Sequence, residues 1–130
     1  MKTERLRVLC VDDNHDVADS EVLLLELFGI EARACYDGAC ALAEARQFHP
    51  DAYLVDLNMP GMDGCELARE LRTGQGPPPF LVAVTAKSGK EDYRRTAEAG
   101  FDAHLVKPVT PDHLLAVLFR TRASEQTPPA

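Results

Sequence analysis

Basic residues are in short supply in this 130-residue chain, fourteen Lys and Arg against twenty-one Asp and Glu, for a net charge of -7. Such a surface repels phosphate backbones, so direct, non-specific nucleic-acid binding by the chain is excluded. Long apolar runs are missing too. The longest, such as Val22-Leu23-Leu24-Leu25, are bounded by charge, which excludes a membrane-spanning helix and a secretory signal, so a cytoplasmic location with no membrane partner is expected. The four cysteines, Cys10, Cys35, Cys40 and Cys65, include no CxxC pair and no nearby histidine cluster. A structural zinc site therefore lacks support, and reduced, mostly buried thiols are expected. Internal repeats and low-complexity blocks are absent, and the length leaves room for one folded domain.

Short apolar runs do occur, alternating with longer amphipathic segments and separated by turn residues, which is the pattern of βα units. Strands are predicted at Leu6 to Val11, Glu31 to Cys35, Ala52 to Val55, Phe80 to Val84 and Ala103 to Val106. Four are nearly continuous apolar runs, as parallel strands buried on both faces require, whereas Glu31-Ala32-Arg33-Ala34-Cys35 reads as an edge. Thr110-Pro111-Asp112 opens a helix with a capping hydroxyl, a proline that loses no needed donor and an acid at the positive end of the dipole. Asp63 and Glu66 have capping-box spacing before Leu67 and Leu71, and Gly29 and Gly100 mark helix ends. Ala39, Leu42, Ala43 and Arg46 are expected to form the inward stripe of the second helix, and Leu114, Leu115 and Leu118 that of the last. Residues 73–79, rich in Gly and Pro, form a surface connection. Right-handed crossovers then give a doubly wound, flavodoxin-like (βα)5 domain with a five-stranded parallel sheet in the order 2-1-3-4-5. Its expected extent is residues 5–120, with 121–130 a flexible tail.

Four predicted strands end on their carboxyl side in residues able to do chemistry: Asp12 and Asp13, Asp56, Thr85, and Lys107. Ligands of open α/β sheets bind outside those ends, so the four groups should converge. Taken singly, each has a plainer explanation, the acids as turn or cap residues, the threonine as β-branched packing, the lysine as a solvated charge. Taken jointly they favour one shared site. Three clustered carboxylates repel unless a cation neutralises them, and an all-oxygen donor set suits Mg2+. Asp56 can then act as a nucleophile toward a phosphoryl group, with Lys107 supplying a point charge and Thr85 a hydroxyl donor. His15, His49 and His113 lack ligand partners at useful spacing and are assigned to surface or cap positions.

In sequence order, Val8-Leu9-Cys10-Val11-Asp12-Asp13-Asn14, Leu54-Val55-Asp56-Leu57-Asn58-Met59-Pro60-Gly61-Met62-Asp63-Gly64, Val84-Thr85-Ala86 and Leu105-Val106-Lys107-Pro108 resemble the receiver domain of two-component response regulators, the CheY-like fold. The resemblance implies that Asp56 accepts a phosphoryl group from a histidine kinase or a histidine phosphotransfer protein. It also implies that Asp12, Asp13, Asp56 and the backbone carbonyl of Asn58 hold Mg2+. Lys107 would pair with the phosphoryl group, Thr85 would be the switch hydroxyl, and the Lys107-Pro108 bond would be cis. Asn58 and Lys87 match positions that tune dephosphorylation through water access. The chain departs from the family at His104, where an aromatic switch residue is usual; an imidazole there brings a polar edge and a titratable group. The loop after Thr85 and residues 89–100 are the expected moving parts, and the output is a changed surface for a downstream protein.

A signalling phosphoacceptor is therefore favoured over a Mg2+-dependent phosphatase with an Asp nucleophile, which would carry a second acid where Asn58 stands. A flavodoxin-like nucleotide binder would need a Gly-rich loop where Asp12-Asp13-Asn14 follows the first strand. The kinase, the downstream target and the choice between a monomer and a homodimer through the last two helices stay open, since Leu114 to Phe119 suits either.

Overall fold

Alternation within the central strands dictates the layering. In β1 (Arg7–Val11), Val8 and Cys10 pack into one core while Leu9 and Val11 pack into another. The same division recurs in β3 (Ala52–Asp56) and β4 (Phe80–Thr85), with Leu54 and Val82 in the first core and Val55 and Leu81 in the second. Strands buried on both faces need a helical layer on each side. The computed structural model describes residues 5–74, 78–86 and 89–126, and it has those layers. Leu25 of α1 (His15–Leu27) and Leu114 and Leu118 of α5 (Pro111–Gln126) close the first core. Helices α2 (Gly38–Phe48), α3 (Gly64–Arg72) and α4 (Lys90–Ala99) close the second through Ala41, Phe48, Leu67, Leu71 and Ala99.

With β2 (Glu31–Cys35) and β5 (Ala103–Val106), the strands form one parallel sheet in the order β2-β1-β3-β4-β5. The doubly wound flavodoxin-like fold and its strand order are as the sequence predicts. The order reverses at β1, which pairs with β2 on one side and β3 on the other, so a crevice opens over the carboxyl ends of β1 and β3.

Local signals set the element ends. Asp63 caps α3 with the reciprocal Glu66 bond of a capping box, and Gly100 ends α4 with a positive φ. Three expectations need correction. Strands β3 and β4 each run one residue further than predicted, because Asp56 pairs with Val84 and Thr85 with Val106 in the ladder; the two functional side chains therefore belong to strands and not to loops. The inward face of α2 is Gly38, Ala41 and Phe48, with Leu42 half-buried and Ala39, Ala43 and Arg46 exposed. The cap at Asp37 sets that register. Helix α5 continues to Gln126, beyond the expected boundary at residue 120, since no glycine or proline interrupts it before Pro128; residues 127–130 lie outside the described residues, as do 75–77 of the 73–79 connection.

Candidate functional site

Each functional side chain owes its position to a strand end. Asp12 directly follows β1, and its amide donates to the carbonyl of Cys35 at 3.0 Å, tying it to the end of β2. Its carboxylate accepts the amide of Asn14 at 3.0 Å, and Asn14 in turn caps α1 by accepting from Val17. Asp56 closes β3 and accepts the amide of Asn58 at 3.4 Å. Both carboxylates are buried, at 2% and 6% exposure, whereas Asp13 is exposed. One oxygen from each of Asp12, Asp13 and Asp56 lies within 4.8 Å of the other two.

Lys107 arrives from the end of β5, where its amide donates to the carbonyl of Thr85 at 2.8 Å. Its Nζ lies 3.2 Å from Asp12 Oδ2 and 3.5 Å from Asp56 Oδ1, so one ammonium bridges two buried carboxylates. The Lys107-Pro108 bond is cis. Burial and the neighbouring charge of Asp12 raise the Asp56 carboxyl above its ordinary value, against the opposing pull of Lys107 and the Asn58 amide. Burial would lower the Lys107 pKa, but the hydrogen bond to Asp12 and the charge of Asp56 outweigh it and the net shift is upward. The ammonium alone leaves the acidic pair under-neutralised, and a hard, oxygen-only donor set of this kind fits a divalent cation such as Mg2+.

Thr85, almost fully buried, ends β4 beside this group. His104 of β5 faces α4: its Nδ1 is 3.1 Å from Thr96 Oγ1 and its ring packs against that of Tyr93, tilted by 33° with centroids 4.1 Å apart. Thr96 donates its one hydroxyl proton to the carbonyl of Tyr93 at 2.9 Å. The same hydroxyl shares a hydrogen bond with His104 Nδ1, which ties β5 to α4. Lys87 lies outside the described residues. Asn58 is exposed on the loop that follows Asp56. Among the other histidines, His15 stacks on Tyr36 at 3.7 Å and His49 ends α2 in the left-handed region.

One acid at the site escaped the sequence reading. Glu21 of α1 is pushed up to about 8 by burial and then by the charge of Asp12, and the thiol of Cys10 is its hydrogen-bond partner. It lines a cavity of about 600 Å³ between α1 and the start of α5, together with Asn14, Val17, Leu24, Lys107 and Pro108. Its spacing, three residues after buried Ala18 and four before buried Leu25, is the signal that could have revealed it, since those intervals put all three on one helix face.

A lysine-bridged pair of buried carboxylates over the switch point of a 2-1-3-4-5 sheet defines a CheY-like α/β domain. The chain belongs to the response regulator receiver domain family, whose model matches residues 8–119. It is similar to the DNA-binding response regulator MtrA of Mycolicibacterium smegmatis, with 37% identity over 129 residues that cover 98% of this chain and 56% of MtrA. It is also similar to the transcriptional regulatory protein PrrA of Mycobacterium tuberculosis, 40% identical over 124 residues that cover 93% of this chain and 53% of PrrA. The chain thus spans about half the length of these curated relatives. The chemotaxis protein CheY4 of Vibrio cholerae superposes with a TM-score of 0.85 at 30% identity, covering 91% of this chain and 99% of CheY4. Among the described residues, no helix is long and apolar enough to cross a membrane.

Proposed function

We propose that this receiver domain is a phosphoacceptor in which Asp56 takes a phosphoryl group from a phosphohistidine of a histidine kinase or histidine phosphotransfer protein in the cytoplasm. The observation that carries the reading is the Lys107 bridge between Asp12 and Asp56 within an all-oxygen cluster. An Asp56 oxygen attacks phosphorus, the P-N bond to the donor imidazole breaks, and the imidazole leaves with the electron pair, so the chemistry asks for charge neutralisation more than for proton transfer. Asp12, Asp13, Asp56 and the carbonyl of Asn58 would hold Mg2+, which when bound supplies that neutralisation. Lys107 then turns from the carboxylate pair toward the phosphoryl oxygens, and Thr85 offers them a hydroxyl.

The product places about -1.5 to -2 of charge and three acceptor oxygens beside the ends of β3 and β4. Thr85 and His104 are the residues through which that change passes to α4 and the downstream protein. Asn58 and Lys87 set water access and hence the rate of dephosphorylation. The receiver unit runs from residue 5 through α5, and its only catalysis is its own phosphoryl transfer and hydrolysis.

The test is intact mass after incubation with acetyl phosphate, with Mg2+ or with chelator, beside Asp56→Asn. Addition of one phosphoryl group that needs Mg2+ and Asp56 is expected. A gain that persists in Asp56→Asn would contradict the assignment of the nucleophile, and a gain indifferent to chelator would contradict that of the metal site.

A further inference from the structure

Outside the acidic cluster, two thiols face each other at bonding approach. Cys35 ends β2 and Cys40 lies in the first turn of α2, and their sulfurs are 2.6 Å apart. A covalent disulfide holds its sulfurs at about 2.05 Å, so only a small movement separates this dithiol from a bond. Both sides of the approach are anchored by the fold. Cys35 is held by its ladder position opposite Val11 and by its carbonyl, which accepts the amide of Asp12. Cys40 is held by its own amide, which donates to the Asp37 cap at 2.7 Å. The turn between them is only Tyr36-Asp37-Gly38-Ala39, and Gly38 packs so tightly on Met62 that a Cβ would stand 2.8 Å from its sulfur.

The other two thiols are differently placed. Cys10 is fully buried in the core closed by α1 and α5, on the opposite side of the sheet from Cys35, and it is hydrogen-bonded to Glu21. Cys65 is buried at the start of α3, with Arg95 at 3.9 Å.

We propose that Cys35 and Cys40 are a redox modification site, a dithiol that a low-molecular-weight disulfide closes to an intramolecular disulfide. Cys40 is half-exposed and Cys35 is fully buried, so the external reagent meets Cys40 first. The Cys40 thiolate attacks one sulfur of the reagent, forming a mixed disulfide and releasing one small thiolate. Cys35, deprotonated as it attacks, then bonds to Cys40 Sγ and expels the second small thiolate. Two protein thiols are oxidised, one small disulfide is reduced to two thiols, and the two protons lost from the cysteines end on the released thiolates. Burial and the hydrogen bond with Cys40 push the Cys35 thiol upward, which keeps it inert toward outside reagents and reserves it for the second step. Reversible pairs of this kind are the form in which disulfides occur in reducing compartments. The bond would clamp the end of β2 to the first turn of α2 one hydrogen bond away from Asp12, and it does not depend on Asp56 accepting phosphate.

The sequence makes the test simple. Both cysteines fall in one tryptic peptide, Ala34–Arg46, while cleavage before Asp37 separates them. The folded protein is treated with oxidised glutathione, its remaining thiols are alkylated, and peptides are mapped by mass. The expected result is loss of two hydrogens from Ala34–Arg46, restored by dithiothreitol, and two peptides that stay linked after cleavage at Asp37, with Cys10 and Cys65 unbridged. Cys35→Ser should halt at a stable glutathione adduct on Cys40, and Cys40→Ser should slow modification of Cys35 about tenfold or more, since the intramolecular partner is gone. A wild-type protein that stops at the glutathione adduct, links between molecules, or gives the same pairing in urea as when folded would overturn the proposal.

Discussion

Gly64 and Gly38 make a matched pair for testing how rigidly the backbone around Asp56 is held. Each is the first residue of its helix, α3 or α2, so alanine at either gains the same helix propensity, up to about 1 kcal/mol. The surroundings differ. A Cβ on Gly64 would stand 2.7 Å from the carbonyl oxygen of Asp56 and 2.8 Å from the Cα of Leu57. Those backbone atoms cannot yield, because Asp56 is paired with Val84, the Leu57 amide donates to Val84, and the Gly64 amide donates to Leu57. The three atoms nearest a Cβ on Gly38 all belong to the Met62 side chain, whose sulfur, the closest of them, can rotate away. Overpacking against fixed backbone costs about 1–3 kcal/mol beyond any propensity gain, so Gly64→Ala should lose about 2 kcal/mol and Gly38→Ala less than about 1 kcal/mol. For a domain of this size 1 kcal/mol corresponds to roughly 4 °C, and thermal melts with urea titrations would separate the two variants. Gly64→Ala should also slow phosphorylation by acetyl phosphate, since the strain falls on the residue that carries the nucleophile. Equal stability losses in the two variants would refute the reasoning.

Without metal, stability should fall as pH rises through about 8, because Glu21 is raised from an ordinary value of 4.5 to about 8 in the folded chain. The folded state then holds a proton that the unfolded state has lost, so the contribution is complete below about 4.5 and gone above about 8. Glu21→Gln should flatten that slope, which the rise from 4.5 to about 8 sets at up to about 5 kcal/mol between those limits, read from urea midpoints in chelator; an unchanged slope would contradict it. Lys107→Met strands two buried carboxylates and should cost about 2 kcal/mol in chelator, with much of the loss restored by Mg2+; a deficit that Mg2+ leaves untouched would count against the cation site. His104→Phe keeps the contact with Tyr93 but removes the bond to buried Thr96, at a cost of about 1 kcal/mol. Thr96→Val should then cost less in the His104→Phe background than in the wild type, since only its bond to the Tyr93 carbonyl is left to lose, and full additivity would show that the two side chains do not interact.

Much of the architecture was legible because its signals are local or periodic. Near-continuous apolar runs at Leu6 to Val11 and Phe80 to Val84 marked two-sided strands, and Asp63 with Glu66 marked a helix start that the structure reproduces. The convergence of Asp12, Asp56 and Lys107 was legible for another reason: open parallel sheets bring the carboxyl ends of their strands together wherever those ends fall in the chain. What escaped depended on contacts between elements. Ala39, Leu42 and Ala43 looked as apolar as the true inward face of α2, and only the Asp37 cap and the packing of Gly38 on Met62 select among registers. Glu21 carries no local signal of its own, because its environment comes from packing α1 against β1, where it meets Cys10 and the field of Asp12. The last turns of α5 are polar, and composition alone does not separate a polar helix end from a tail.

The measurement that bears hardest on the phosphoacceptor reading is to locate the acyl phosphate itself. Protein phosphorylated with Mg2+ and a small phosphodonor is reduced with borohydride, which converts an aspartyl phosphate to homoserine, and peptides covering Asp12, Asp13 and Asp56 are sequenced by mass. Homoserine at Asp56 alone, abolished by chelator, is the predicted result. Homoserine at Asp12 or Asp13, or its appearance in Asp56→Asn, would contradict the roles assigned to the cluster.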